Sequence, residues 1–283
     1  MTVRAARPAV TLVALVSLVS LVSLAACSTP GPPEPTPPAP AARAGVRLPP
    51  PAGRADYQIG GAYTPAAGTA IVVRDRTELP PPGLYGVCYV NAFQTQPDER
   101  GDHPELHLRV AGREVTDPDY PDETLFDVGS PAARSALAMV VGPWIDGCAA
   151  DGYDAVELDN LDSPTRSEGA LTAQDAEAFA ALVIERAHRL GLAVAQKNAA
   201  ERAAGARTRV GFDFAIAEEC GVFGECDAYT AEYGARVFEV EYTDNGVAAY
   251  EQACRDRPGL LSIQLRDRDL VPAGRPGHVA RTC

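Results

Sequence analysis

The chain has 283 residues and a formal net charge of −13, with 38 acidic against 25 basic side chains. That balance argues against nucleic acid and anionic lipid surfaces as partners, and it would tolerate or attract a cationic substrate. There is no Cys-x-x-Cys and the four histidines are scattered, so the spacing of a zinc site is missing; no metal and no other cofactor is expected.

Arg4 and Arg7 precede an apolar run over 10–26, the layout of a secretory signal. The run ends in Leu24-Ala25-Ala26-Cys27, which resembles the lipobox of bacterial lipoproteins. That resemblance implies cleavage after residue 26 and acylation of Cys27. The protein would then be exported and held by lipid alone on the extracytoplasmic face of the cell membrane. Residues 28–54 carry 10 prolines and almost no large apolar side chains; such a stretch cannot form a core and favours an extended spacer. The remaining segment, 55–283, has the length of one (β/α)₈ barrel. Acylation of Cys27 leaves Cys88, Cys148, Cys220, Cys226, Cys254 and Cys283, and an even number in an exported chain predicts three disulfides. Of the 15 possible connectivities, Cys220–Cys226 is the simplest pair, because the residues between them can close a short loop.

Short apolar runs rich in Val, Ile and aromatics predict strands at 57–59, 70–73, 84–90, 153–158, 192–196, 212–217, 236–241 and 260–265. Ser130-Pro131 predicts a helix start. Thr172 and Asp175 form a capping-box pattern before a helix carrying Phe179, Ala180, Val183 and Ala187, with Gly191 as its stop. Alternation of strand and helix implies a parallel sheet. An eight-stranded TIM barrel in a single domain fits best; an open doubly wound sheet is second, lacking a glycine-rich phosphate loop after its early strands. The stretch 93–129 is long, polar and proline-rich and shows no clear element.

In a parallel barrel, function collects where strands end. The strand ends supply Tyr89 and Asn91, Asp159-Asn160, Lys197-Asn198, Glu218-Glu219 and Glu241-Tyr242. Acids and amides without histidine suit sugars, since glycosidic cleavage needs two carboxyl groups and amides bind hydroxyls. Glu157 and Asp159 share strand parity and so point to the same side, where two close like charges would push one pKa upward. Asp162 reads as a turn residue. Lys197 is the only lysine in the chain and is placed to orient or ionise Asp159 or Glu157. Tyr89, Tyr242 and Trp144 are candidate sugar-stacking rings, with core packing favoured for Trp144. Glu157, Asn160, Asn198, Glu241, Tyr242, Asn91, Tyr89 and Lys197 are the expected substrate-binding set.

The segment Gly152-Tyr-Asp-Ala-Val-Glu-Leu-Asp-Asn-Leu-Asp162 resembles the signature of glycoside hydrolase family 114, the endo-α-1,4-polygalactosaminidase family. Gln196-Lys-Asn198, Phe212-Asp-Phe-Ala-Ile-Ala-Glu-Glu-Cys220 and Val237-Phe-Glu-Val-Glu-Tyr242 follow in the family's order, and Val87-Cys-Tyr-Val-Asn91 precedes them. The resemblance implies a (β/α)₈ fold and a catalytic pair at Asp159 and Glu218. It further implies a retaining mechanism, with Asp159 as nucleophile and Glu218 as acid/base. It also implies an amino-sugar polymer as substrate, cut at internal α-1,4 bonds; separately, a monomer is expected. Ala217 stands where the family often has Asn, which leaves Glu219 as an alternative to Glu218. A non-catalytic carbohydrate-binding lipoprotein on the same barrel is the rival reading. A calcium-dependent module using Glu157, Asp159 and Asp162 is another.

Overall fold

The computed structural model describes residues 45–51 and 53–283. The signal segment, Cys27 and most of the proline-rich spacer lie outside the described residues. Eight strands, β1 (Arg54–Tyr57), β2 (Thr69–Asp75), β3 (Tyr85–Asn91), β4 (Ala155–Asp159), β5 (Ala193–Lys197), β6 (Phe214–Glu218), β7 (Val237–Tyr242) and β8 (Ser262–Arg266), pair in chain order, each parallel to the next. All eight expected strands have a counterpart, although the first shares only Tyr57 with the expected 57–59. A last strand, β9 (Ala280–Thr282), runs antiparallel to β8. The seam between β8 and β1 is joined by side chains: Ser262 Oγ and Gln264 Oε1 accept the backbone N–H groups of Ala55 and Tyr57, both at 3.0 Å. The result is a TIM barrel, closed except for a regular ladder at that seam.

Strand parity divides the core in two. Tyr57, Ile71, Val73, Val87, Ala155, Ala193, Ala195, Phe214, Ile216, Phe238 and Val240 fill the barrel interior. Val90, Val156, Leu158, Val194, Ala215 and Ala217 face outward onto the helix layer, where Leu137, Val141, Phe179 and Val183 meet them. Helices cover the later crossovers: α1 (Pro131–Ala150), α2 (Ala173–Arg189), α3 (Ala206–Arg209), α4 (Cys220–Phe223), α5 (Cys226–Tyr233) and α6 (Ala248–Asp256). Ser130 caps α1 by accepting from the Ala133 N–H at 3.1 Å, and the reciprocal Thr172–Asp175 capping box starts α2.

The barrel departs from strict strand–helix alternation at its beginning. The connections at 58–68 and 76–84 hold turns instead of helices, because they are short and interrupted by Gly60-Gly61, Pro65 and Pro80-Pro81-Pro82. The polar stretch after β3 is an ordered excursion over the barrel's C-terminal face, containing a two-stranded hairpin, Arg109–Val110 with Arg113–Glu114. Val46 and Leu48, within the segment read as spacer, pack on the core. The six cysteines form Cys88–Cys148, which ties β3 to α1, Cys220–Cys226, which closes a tight loop, and Cys254–Cys283, which ties α6 to the C-terminal residue.

Candidate active site

The C-terminal ends of the strands open into a cavity of about 1010 Å³. Its floor is organised by Lys197, the last residue of β5. Ala193 and Ala195 of that strand face the interior, so by parity Lys197 does too, and it is only 2 % exposed. Its Nζ lies 3.0 Å from Asp159 Oδ1, 3.1 Å from Glu218 Oε2 and 3.1 Å from Glu157 Oε1. It also donates to the Tyr57 hydroxyl at 3.1 Å. One ammonium thus holds three carboxyl groups from β4 and β6 around itself.

Asp159 sits uppermost on β4. Its Oδ2 accepts the Tyr89 hydroxyl at 2.5 Å and its Oδ1 accepts the Asn160 N–H at 2.9 Å. Burial alone would raise the Asp159 pKa, but the charge of Lys197 and the hydrogen bonds from Tyr89, Lys197 and Asn160 hold it below the ordinary aspartate range. Burial equally works against the charged form of Lys197, and Asp159, Glu218, Tyr57 and Glu157 hold its pKa well above the usual lysine value. Glu218 is met by the Tyr242 hydroxyl on Oε1, and by Asn198 Nδ2 on Oε2 at 3.3 Å. Asn198 Oδ1 in turn accepts the Glu218 N–H at 2.9 Å. Burial, with the adjacent carboxylates, pushes the phenols of Tyr89 and Tyr242 up, so both remain protonated donors.

Asn160 and Asn198 both take left-handed backbone conformations, at φ of 66° and 46°. Asparagine tolerates this region better than most residues, and it lets the chain turn sharply at the strand end. Asn160 Nδ2 donates to Asn91 Oδ1 at 2.8 Å, and Asn91 Nδ2 donates to Glu123 at 3.1 Å. Asn91 is therefore buried beneath Asn160 and does not line the cavity. Tyr89, Asp159, Asn160, Lys197, Asn198, Glu218 and Tyr242 all do.

Beyond Asn91, two further expectations need correction. Glu157 is fully buried below Lys197, with Tyr57 donating to its Oε1 at 2.7 Å, so it supports the floor and does not line the cavity. Glu241 faces away from the cavity. Phe238, Val240 and Tyr242 define the interior parity of β7, which turns Glu239 and Glu241 out onto the helix layer. There Glu241 accepts the Gly221 N–H at 2.8 Å and Arg257 pairs with Glu239 at 2.7 Å. Burial, with Glu239 beside it, raises the Glu241 pKa despite that hydrogen bond.

Glu218 and Glu219 differ sharply in surroundings. Glu219, at φ 59°, is held by the Arg268 guanidinium at 2.6 and 3.1 Å, whereas Glu218 shares Lys197 with Asp159. Much of the wall had no sequence signal. Arg166 bridges Asp117 at 2.8 Å and Asp162 at 3.0 Å, and the excursion after β3 contributes Gln94, Asp119, Tyr120 and Glu123. Among the described residues Asp119, Glu123, Glu201, Glu225 and Asp269 line the cavity without a paired cation. A second cavity, of about 890 Å³, lies at the strands' N-terminal ends; of its two acids, Asp154 is committed to Arg47 and the Gly86 N–H, and Asp151 is exposed.

A TIM barrel with a carboxyl pair set in an acidic cleft at its C-terminal face has the layout of a glycoside hydrolase. Comparison with known families matches residues 35–283 to Glycoside-hydrolase family GH114, and the chain belongs to that family. Among solved structures it is similar to Ega3 of Aspergillus fumigatus, determined in complex with galactosamine, at a TM-score of 0.66 and 18 % identity, covering 84 % of this chain and 98 % of that one. It is also similar to the glycoside hydrolase domain of PelA from Pseudomonas aeruginosa, at a TM-score of 0.54 and 16 % identity, covering 78 % and 96 %. At these identities the likeness concerns the fold. No curated protein sequence matches the chain.

Proposed function

We propose that this protein hydrolyses internal α-1,4 bonds of a galactosamine-containing polysaccharide by a retaining mechanism, with Asp159 as nucleophile and Glu218 as acid/base. The observation that carries this reading is the sharing of Lys197 Nζ by the two carboxyls, at 3.0 and 3.1 Å. The sum of those contacts limits their nearest oxygens to a separation below the roughly 6.5–9.5 Å that admits a water between inverting residues.

In the first step the Asp159 carboxylate attacks the anomeric carbon while Glu218 gives its proton to the departing glycosidic oxygen. Asp159 loses its charge to the glycosyl ester as Glu218 gains one. Lys197 touches both, so the same cation neutralises whichever carboxylate is charged, and no charge is left stranded in the buried floor. In the second step Glu218 takes a proton from water, which attacks the anomeric carbon and releases Asp159. Tyr89 and Tyr242 keep each carboxyl in place through the cycle. The unpaired acids of the wall suit a polymer bearing ammonium groups, and the galactosamine bound to Ega3 supports the same sugar class.

Three disulfides require an oxidising compartment, which supports export. On our reading the mature chain is anchored by lipid on Cys27 at the extracytoplasmic membrane face, and acts there as a monomer. The activity is tested by reducing-end release from polygalactosamine. The wild type is expected to cleave it, and Asp159→Asn and Glu218→Gln to lose at least about 100-fold in kcat. Binding without cleavage by the wild type would favour a carbohydrate-binding role instead.

A further inference from the structure

The large hydrophobic side chains left exposed among the described residues are Leu79, Tyr120, Met139, Leu182, Leu190, Val222, Phe223 and Val247. Only two are aromatic, Tyr120 at 54 % and Phe223 at 68 % exposure, and both line the acidic cavity. An exposed ring gains free energy by being covered, and these two stand where a substrate would cover them.

Each ring is carried on a braced loop from a different wall. Tyr120 sits at the tip of a turn in the excursion after β3, closed by Glu123 N–H to Tyr120 O at 2.9 Å and Asp117 N–H to Glu123 O at 3.0 Å. The Asp117 carboxylate receives the Asp119 N–H at 2.9 Å and is itself gripped by Arg166. Phe223 ends α4, between the two cysteines of the Cys220–Cys226 disulfide. Gly224, at φ 71°, turns the chain there, and the Glu225 N–H returns to Cys220 O at 2.9 Å. Bracing of this kind removes the ordering cost that a mobile loop would meet on binding.

Each ring also has unpaired acids beside it in sequence, Asp119 and Glu123 around Tyr120, and Glu225 two residues after Phe223. The combination has a specific chemical complement. A galacto-configured pyranose presents the C–H bonds of C3, C4 and C5 on one face, and that electron-poor face packs on the negative face of an aromatic ring. A 2-ammonium group on the same sugar is drawn to both the ring and the carboxylates.

We propose that Tyr120 and Phe223 are substrate-positioning residues whose rings stack on galactosamine units of the polymer, one in each of two cleft walls. This rests on the reading of the cleft as a galactosamine-polymer site. The test is steady-state kinetics on polygalactosamine, with affinity electrophoresis on the same polymer in parallel. Tyr120→Ala and Phe223→Ala are each expected to raise KM and weaken binding about tenfold, with kcat changed far less. Tyr120→Phe and Phe223→Trp keep a ring and are expected to stay near wild type, whereas Phe223→Leu is expected to behave as Phe223→Ala. Wild-type KM and binding in the alanine variants, or full rescue by leucine, would overturn the proposal. If the wild type binds but does not cleave, the catalytic reading fails, and the electrophoresis still decides the stacking role.

Discussion

Glu157 offers a sharp test of how the floor of the site is built. It is completely buried; its Oε1 receives Tyr57 and faces Lys197, while its Oε2 has no partner. Burial pushes its carboxyl from 4.5 up to about 7, against the pull of Lys197 and with the push of Asp159. Below pH 4.5 the folded and unfolded chains both hold this proton, and its stabilising effect is complete. As pH rises the unfolded chain releases the proton first, so stability falls until the folded carboxyl also ionises near 7. At roughly 1.4 kcal/mol per pH unit, the loss is roughly 3 kcal/mol. Glu157→Gln mimics the neutral acid, with its amide oxygen in the Oε1 position and its NH₂ where Oε2 has no partner. The variant is therefore expected to match wild type at about pH 4 and to exceed it by roughly 3 kcal/mol at about pH 8. Urea denaturation with the disulfides intact, repeated across that range, measures the difference. Parallel pH curves for the two proteins, or a variant weaker at every pH, would refute the reasoning.

Lys197→Met removes the cation that keeps Asp159 ionised. The acidic limb of kcat/KM, expected below the ordinary aspartate value of 3.8 in the wild type, should move upward, with kcat falling about 100-fold. A lower rate with an unmoved limb would mean that Lys197 does not set the charge of Asp159. The disulfides should differ by loop length, with sequence separations of 60 for Cys88–Cys148 and 6 for Cys220–Cys226. Paired Cys→Ala replacement of Cys88 and Cys148 is expected to cost about 4 kcal/mol in denaturation, and of Cys220 and Cys226 about 2. Equal losses would contradict chain-entropy control.

The strands and the centre of the site were legible because their signals are local. β4 shows why: Val156 and Leu158 alternate with Glu157 and Asp159, and parity alone sends both acids inward. β7 defeats the same reasoning. Every one of its residues is buried, as in a strand covered on both faces, so Glu241 and Tyr242 could not be separated without knowing that Phe238 and Val240 fill the interior. The role of Glu219 depended on Arg268, far along the chain and reaching back in space. The wall residues Tyr120 and Glu123 lie in an irregular segment and Arg166 ends a single short 3-10 turn, Ser163–Arg166, where no periodicity reports which way a side chain points. Tyr89 and Tyr242, expected as stacking faces, spend their hydroxyls on Asp159 and Glu218, a partnership visible only once adjacent strands are aligned.

The catalytic pairing of Asp159 with Glu218 is tested most directly by the anomeric configuration of the first reducing ends released from polygalactosamine, followed by proton NMR before mutarotation. Retention through an Asp159 ester predicts that the α anomer appears first and the β anomer grows in later. Initial appearance of the β anomer would show direct attack by water and contradict the nucleophile role of Asp159.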